Sequence, residues 1–357
     1  MDQSKKKIGL LTLWKNANFG TALQAYALYR VISEMGCEAE YVLYNSRWHL
    51  KLSEKIRIIY NKLSYIVRGC FVKSDLIHHN SYLPMMDFWD GIPHSSAIFD
   101  RKTFASSTKL YNKYIVGGDQ VWSRSVTIAN SFYFLEGLDD NVSRNSYSPS
   151  FGSQNLSFRY KKKTVKYLSR FKHIGCRDIS LSDLLKSSLG RNVVNTVDPV
   201  LLLSPDDWHE FSEKFSSLPH NYLLCYELGD SDCMRLMAEK KAQSQNLELL
   251  YMSASSGDIN LLKISPANFV YLFENAAHIV TDSYHGILFA IIFRKMVTPF
   301  FKRSGNESTF DNWRIHELCD FLNIQIGSSA FVDKADMDKL DAKIEQSKNF
   351  LQSILDD

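Results

Sequence analysis

The chain has 357 residues, 45% of them hydrophobic, 13% aromatic and 23% charged. That is an ordinary globular balance, which excludes a disordered chain and, at roughly 100–200 residues per domain, favours two domains. The formal net charge of +3 and the lack of a recognised module argue against a nucleic-acid partner.

Residues 8–13 are a short apolar run behind three lysines and read as a buried first strand. The turn Asn16-Ala17-Asn18-Phe19-Gly20 follows. Residues 21–35 have helical spacing, with Leu23, Ala27, Leu28 and Val31 on one side and Gly36 as the stop. Residues 39–44 give a second strand, and this strand–loop–helix–strand order begins a parallel α/β sheet. Residues 48–80 read as a basic amphipathic helix, with Lys51, Lys55, Arg57, Lys62, Arg68 and Lys73 among Leu, Ile and Tyr. Residues 114–117 form a strand ending in Gly118-Asp119-Gln120. Further strands are expected at 143–150 and 173–176, with a second basic helical stretch over 159–172 between them.

The composition of Ser204-Pro205-Asp206-Asp207 is that of a turn and helix cap, and a second α/β unit starts there. Its strands are expected at 222–226, 247–252, 278–281 and 297–301, and a charged amphipathic helix runs from Lys334 onward. The expected domains are therefore 1–203 and 204–357. The first carries 28 Lys and Arg against 16 Asp and Glu, a net of +12; the second carries 14 against 23, a net of −9. Halves of opposite sign either attract each other or do different electrostatic work.

The six cysteines include no CxxC pair and no His/Cys cluster at metal-ligand spacing, so no metal is expected. The apolar run behind the N-terminal lysines is too short for a signal-peptide core. No stretch approaches the ~18 apolar residues of a membrane span. A cytoplasmic location with reduced thiols is expected.

In open parallel sheets ligands bind beyond the carboxyl ends of the strands, and three such places carry polar residues. At Asn18-Phe19-Gly20 a helix N-terminus would favour an anion or polar ligand, or would simply be capped; no G-x-G-x-x-G fingerprint is present. At Gly118-Asp119-Gln120-Val121-Trp122 the glycine allows close backbone approach. Asp119 would there serve as a base for a hydroxyl or as a cap, and Trp122 would stack on a sugar ring or fill the core. At Thr281-Asp282-Ser283-Tyr284-His285-Gly286 an apolar strand meets a small, apolar helix. Ser283 or Asp282 would cap that helix. His285 in its first turn would hold phosphate or transfer a proton near neutral pH.

Together these segments resemble the polysaccharide pyruvyl transferase family. The resemblance runs in order over residues 8–12, 18–28 and 116–122, then Ser148-Pro149-Ser150-Phe151-Gly152 and Cys176-Arg177-Asp178-Ile179-Ser180. It continues through Asp198-Pro199-Val200-Leu201-Leu202, residues 281–286 and Asn312-Trp313-Arg314-Ile315, nearly the whole chain. It implies a GT-B-like fold, two Rossmann-like domains facing each other across a cleft. It also implies transfer of the enolpyruvyl carbons of phosphoenolpyruvate, as a cyclic ketal, to a sugar of a bacterial surface polysaccharide or lipid-linked repeat unit, with no cofactor.

The resemblance makes His285 the acid or a phosphate ligand and Asp119 the base. Arg177, Asp282, Ser283, Gly286 and Arg314 become candidates for the donor. Asn18, Gly20, Gln24, Gly118, Gln120 and Trp122 become candidates for the acceptor. Arg177 alternatively forms an ion pair with Asp178 or Asp198. The second domain is then the phosphoenolpyruvate side and the basic first domain the acceptor side. Its stretches 51–73 and 159–172 are candidates for contact with an anionic inner membrane face. One departure stands out: many members have Arg-Leu-His-Gly where this chain has Ser283-Tyr284-His285-Gly286. Either another cation, Arg314, Arg303 or Lys302, completes the donor site, or the donor is held differently. A nucleotide-sugar glycosyltransferase and a non-catalytic carbohydrate-binding protein of the same fold are the competing expectations.

Overall fold

Two parallel sheets organise the chain, as described by a computed structural model over residues 7–45, 83–127, 131–153, 155–215, 218–229, 231–253, 257–302 and 312–357. The basic stretch 51–73 and Arg303 lie outside the described residues. The first sheet comprises β1 (Lys7–Leu11), β2 (Glu38–Tyr44), β3 (His94–Phe99), β4 (Lys113–Gly117), β5 (Ser143–Tyr147), β6 (His173–Cys176) and β7 (Val194–Asn195), in the order β3-β2-β1-β4-β5-β6-β7. The chain winds outward from β1 to β3, then returns to place β4 on the other side of β1. The strand order therefore reverses between β1 and β4, and a crevice opens beyond their carboxyl ends.

Helix α1 (Phe19–Glu34) connects β1 to β2. Asn18 caps it through Thr21 N, and Gly36 ends it with φ 85°. Its N-terminal half, Phe19 to Ala25, is buried throughout, because it lies between its own sheet and the second unit. The expected strand at 143–150 stops at Tyr147, since Ser148 turns into the left-handed region at φ 58°. Strand β3 was not legible: the run His-Ser-Ser-Ala-Ile-Phe has a burial pattern with no regular alternation, as an edge strand allows. The connections carry α2 (Leu83–Gly91), α3 (Phe158–Leu168) and α4 (Ile179–Leu189).

The second sheet comprises β8 (Tyr222–Tyr226), β9 (Glu248–Ser253), β10 (Ile259–Asn260), β11 (His278–Thr281) and β12 (Met296–Pro299), ordered β10-β9-β8-β11-β12. Here the order reverses between β8 and β11. Its helices are α5 (Pro205–Phe211), α6 (Asp232–Gln245), α7 (Pro266–Asn275), α8 (Tyr284–Ile292) and α9 (Asn312–Phe321), followed by α10 (Lys334–Asp356). Helix α5 opens with a capping box between Ser204 and Asp207 and Pro205 in its first turn.

The units share one apolar core. Phe19 of α1 stacks on Phe269 of α7 with ring centroids 4.7 Å apart, and Trp208 packs between Tyr26 and Phe289. Helix α10 bridges the two units. Its start is bonded to the second, where Asn323 Nδ2 donates to the Asp336 carboxylate and Lys339 Nζ to Phe321 O. Its later turns meet the first: Lys113 Nζ donates to the carbonyls of Ile354 and Leu355, and Val197 N donates to Ser347 Oγ at 3.1 Å. A cation at a helix C-terminus meets carbonyls that lack intrahelical partners, which accounts for the burial of Lys113.

Candidate active site

The two crevices face each other. Residues following β1 and β4 meet residues following β8 and β11 around a cleft of about 250 Å³, lined among others by Asn18, Thr21, Asp119, Gln120, Ser283, His285 and Arg314. Two helix N-termini point into this region. Asn18 caps α1, and Ser283, not Asp282, caps α8 by accepting from Gly286 N at 3.2 Å. With Gly286 N occupied, helix geometry leaves the N–H groups of Tyr284 and His285 without intrahelical partners. The first turn of α8 is therefore suited to an anion.

From the first unit, Gly118 and Asp119 adopt consecutive left-handed conformations, φ 65° and 43°. This turn aims Asp119 at α1, where its carboxylate accepts from Thr21 Oγ1 and, at 2.7 Å, from Gln120 N. Gly118 is required here because a Cβ would fall 1.3 Å from Gln24 Oε1. Gln120 lies against Gly152, which joins the 148–152 segment to the cleft wall.

From the second unit, His285 reaches across to the first. Its Nδ1 and Cγ lie against Gly20, and its Nε2 stands 3.5 Å from Asp198 Oδ2, an ion-pair separation longer than a well-formed hydrogen bond. Asp198 is fully buried and also pairs with Arg177 Nη1. Burial alone would raise the Asp198 carboxyl, but His285 and Arg177, aided by Val200 N, hold it well below the usual carboxylate range. It is thus ionised at neutral pH, pairs with the Arg177 guanidinium and faces the His285 ring. Of the two partners expected for Arg177, the structure chooses Asp198. The carboxylate of Asp178 instead accepts from Ser150 Oγ and Phe151 N, each at 2.7 Å.

Tyr284 divides the site. Arg177 and Arg314 stack near its ring at 5.0 and 5.2 Å. Beyond Tyr284 lies a second, smaller cavity, to which Arg177, Thr196 and Lys343 contribute. Arg177 lines this second space and not the cleft of His285, whereas Arg314 lines both. Of the three cations expected to replace the arginine missing at position 283, Arg314 is at the cleft, Lys302 is not among its lining residues, and Arg303 lies outside the described residues.

Several expected ligand contacts prove structural. Trp122 is fully buried, stacks on Phe134 and donates from Nε1 to Tyr133 O at 2.9 Å, so its ring cannot meet a sugar. Gln24 is buried beneath Gly118, with Nε2 bonded to Thr12 Oγ1 and Thr21 O. Asp282 turns away from the cleft and accepts from Leu228 N and Gly229 N, each at 2.7 Å, anchoring the loop after β8. Gly286 packs on Thr281, where a Cβ would fall 2.7 Å from Oγ1, and Gly20 makes room for His285. The sequence did not single out Thr21, Tyr284 or Asp198 as site residues. Of the three, only Asp198 carried a signal of its own, as a possible ion-pair partner of Arg177.

Among the described residues no group of His, Cys, Asp and Glu is placed to hold a metal ion, and no helix is long and apolar enough to cross a membrane.

Residues 18–300 match the family described as polysaccharide pyruvyl transferase. No curated protein matches the chain significantly. Among solved structures, the UDP-GlcNAc 2-epimerase of Methanocaldococcus jannaschii is similar at a TM-score of 0.50 and 9% identity, over 96% of this chain and 91% of that one. MnaA of S. aureus, in its co-structure with UDP, is similar at 0.50 and 11% identity, over 97% and 89%. At such identity the likeness shows the fold alone: GT-B, two Rossmann-like units facing across a cleft.

Proposed function

The chain belongs to the polysaccharide pyruvyl transferase family, and from that premise we propose that it moves the enolpyruvyl carbons of phosphoenolpyruvate onto two hydroxyls of a sugar as a cyclic ketal, releasing phosphate. The observation that carries this reading is the meeting of His285, Asp119, Arg314 and the α8 N-terminus in one cleft between the units. A phosphate ester needs fixed donors and a cation; the first-turn N–H groups of α8 and Arg314 supply them. His285, oriented by Asp198, protonates the methylene carbon to make it a methyl group. Asp119 accepts the proton of the first sugar hydroxyl as its oxygen attacks C2. The second hydroxyl then displaces phosphate and closes the ring, its proton leaving with phosphate or solvent. The transfer balances without a redox cofactor. Arg177 acts on this chemistry through Asp198, behind Tyr284.

The acceptor in this reading is a sugar of a surface polysaccharide, lipid-linked and presented at the inner membrane face. Helix α3 supports a peripheral contact there. Arg159, Lys162, Lys163 and Lys166 recur at i, i+3, i+4 and i+7 on its exposed face, the helix carries no acid, and Phe158 at its start is 82% exposed. A basic face with an apolar tip suits an anionic bilayer.

The test is donor titration followed by turnover. Phosphoenolpyruvate should raise the melting temperature by mass action, and mass spectrometry of a lipid-linked acceptor should show a gain of pyruvate less one water. Arg314→Ala should weaken the donor effect by about tenfold or more. Stabilisation by a nucleotide sugar and not by phosphoenolpyruvate would instead favour the glycosyltransferase. Stabilisation by the sugar acceptor alone, with no turnover, would favour a binding protein.

A further inference from the structure

Helix α4 begins without help from its own cap. Asp178 holds the N-cap position, but both its carboxylate oxygens are turned onto Ser150 and Phe151. The first-turn N–H groups of Ile179 and Ser180, orphans in any helix, donate instead to Glu317 Oε2 and Oε1 at 3.2 and 3.0 Å. Glu317 belongs to α9 of the second unit, so one unit caps a helix of the other, and the helix dipole favours its carboxylate there.

The contact has a definite place. Arg314 stands one turn earlier on α9, and Arg177 stands two residues before Ile179. These are the two guanidinium groups that stack near Tyr284, at 5.2 and 5.0 Å. The Glu317 bonds therefore tie together the segments that carry the two arginines. Ile315, Leu318 and Cys319 bury the other face of α9, so loss of the Glu317 bonds would release the position of Arg314 more than the fold of the helix.

We infer that Glu317 is a positioning residue: its cross-unit cap holds Arg314 at the cleft and thereby sets donor affinity. The kinetic readout rests on the proposed pyruvyl transfer; the geometric readout does not. Two substitutions weaken the contact from opposite partners: Glu317→Ala removes both bonds, and Ile179→Pro removes the one from Ile179 N. Proline is tolerated at the first helical position and after the extended Asp178 backbone (φ −72°, ψ 120°).

Glu317→Ala should raise KM for phosphoenolpyruvate by roughly tenfold or more while kcat changes by less than roughly threefold. Ile179→Pro should give a smaller rise, and the double variant should fall short of the product of the two. Glu317→Gln, which keeps one acceptor, should recover part of the loss. A lowered melting temperature with unchanged KM, or full additivity, overturns the inference. Amide hydrogen exchange without ligand supplies the independent arm: residues 312–321 should exchange faster in Glu317→Ala while residues 278–292 do not. Unchanged exchange over 312–321 sinks the inference whatever the substrate. If the wild type does not turn over phosphoenolpyruvate, the functional reading falls and exchange alone decides the role of Glu317.

Discussion

His285, carried by the second unit, is shaped by Gly20 of the first: a Cβ at position 20 would lie 2.0 Å from the imidazole Nδ1. The other ring nitrogen, Nε2, faces Asp198 of the same first unit. The orientation of this side chain is therefore a property of the interface between units and not of the helix that bears it.

Gly20→Ala should separate stability from activity. In α1 alanine is the better helix former, by about 1 kcal/mol, but its methyl group must displace His285. A misplacement near 1 Å costs on the order of 100-fold in rate. The expected result is a kcat/KM lowered by about that factor with a melting temperature close to wild type. Gly91→Ala, with no atom near the added Cβ, is the control. Full activity in Gly20→Ala would mean that the position of the ring does not matter.

Asp198→Asn should be costly in both respects. The Arg177 and Asp198 side chains are 4% and 0% exposed, and removing one partner of a buried pair typically costs about 3–5 kcal/mol. Combining Arg177→Met with Asp198→Asn should restore much of the stability, since the stranded charge is gone, but not the activity, since His285 still lacks its carboxylate. Denaturant unfolding and kcat/KM measured on the single and double variants beside the wild type check this. Recovery of activity in the double variant would show that Asp198 serves Arg177 alone.

His278, at the start of β11, should make stability sensitive to mild acid. Burial, with a smaller contribution from Lys241, lowers its pKa from 6.5 to about 4, and it is bonded to Gln245 and Thr298. The neutral ring is favoured in the folded state, so below pH 6.5 the unfolded chain binds a proton that the folded chain refuses. Stability is lost as pH falls from 6.5 toward 4, by about 2 kcal/mol between pH 7.5 and 5. His278→Gln should remove that part of the slope. Parallel stability profiles for the two proteins would contradict the assignment.

The strand-and-helix alternation, the helix cap at Ser204 and the polar residues closing β1, β4 and β11 were legible because each depends on local patterning: apolar runs, caps and glycine stops. A cap at Asp282 or Ser283 before α8 and one in the turn before α1 were legible for the same reason; the structure selects Ser283 and Asn18. Trp122, Gln24 and Asp282 misled because residue type and strand-end position do not say which way a side chain points. In each case a backbone group or the core claims the side chain before any ligand can.

The sequence by itself determined the local motifs, a strand-to-helix histidine and a Gly-Asp turn at another strand end, and the family to which those motifs belong. Only the tertiary structure decided which residues share the cleft. Asp198 behind His285, Arg177 on the far side of Tyr284, Arg314 in the same cleft as Ser283 and Glu317 across the units are all pairings between distant segments. Such pairings depend on how the two sheets face each other, and no local periodicity encodes that. The polar end of α8 still anchors the proposed chemistry, but its cation, its orienting carboxylate and the wall behind its histidine come from elsewhere in the fold.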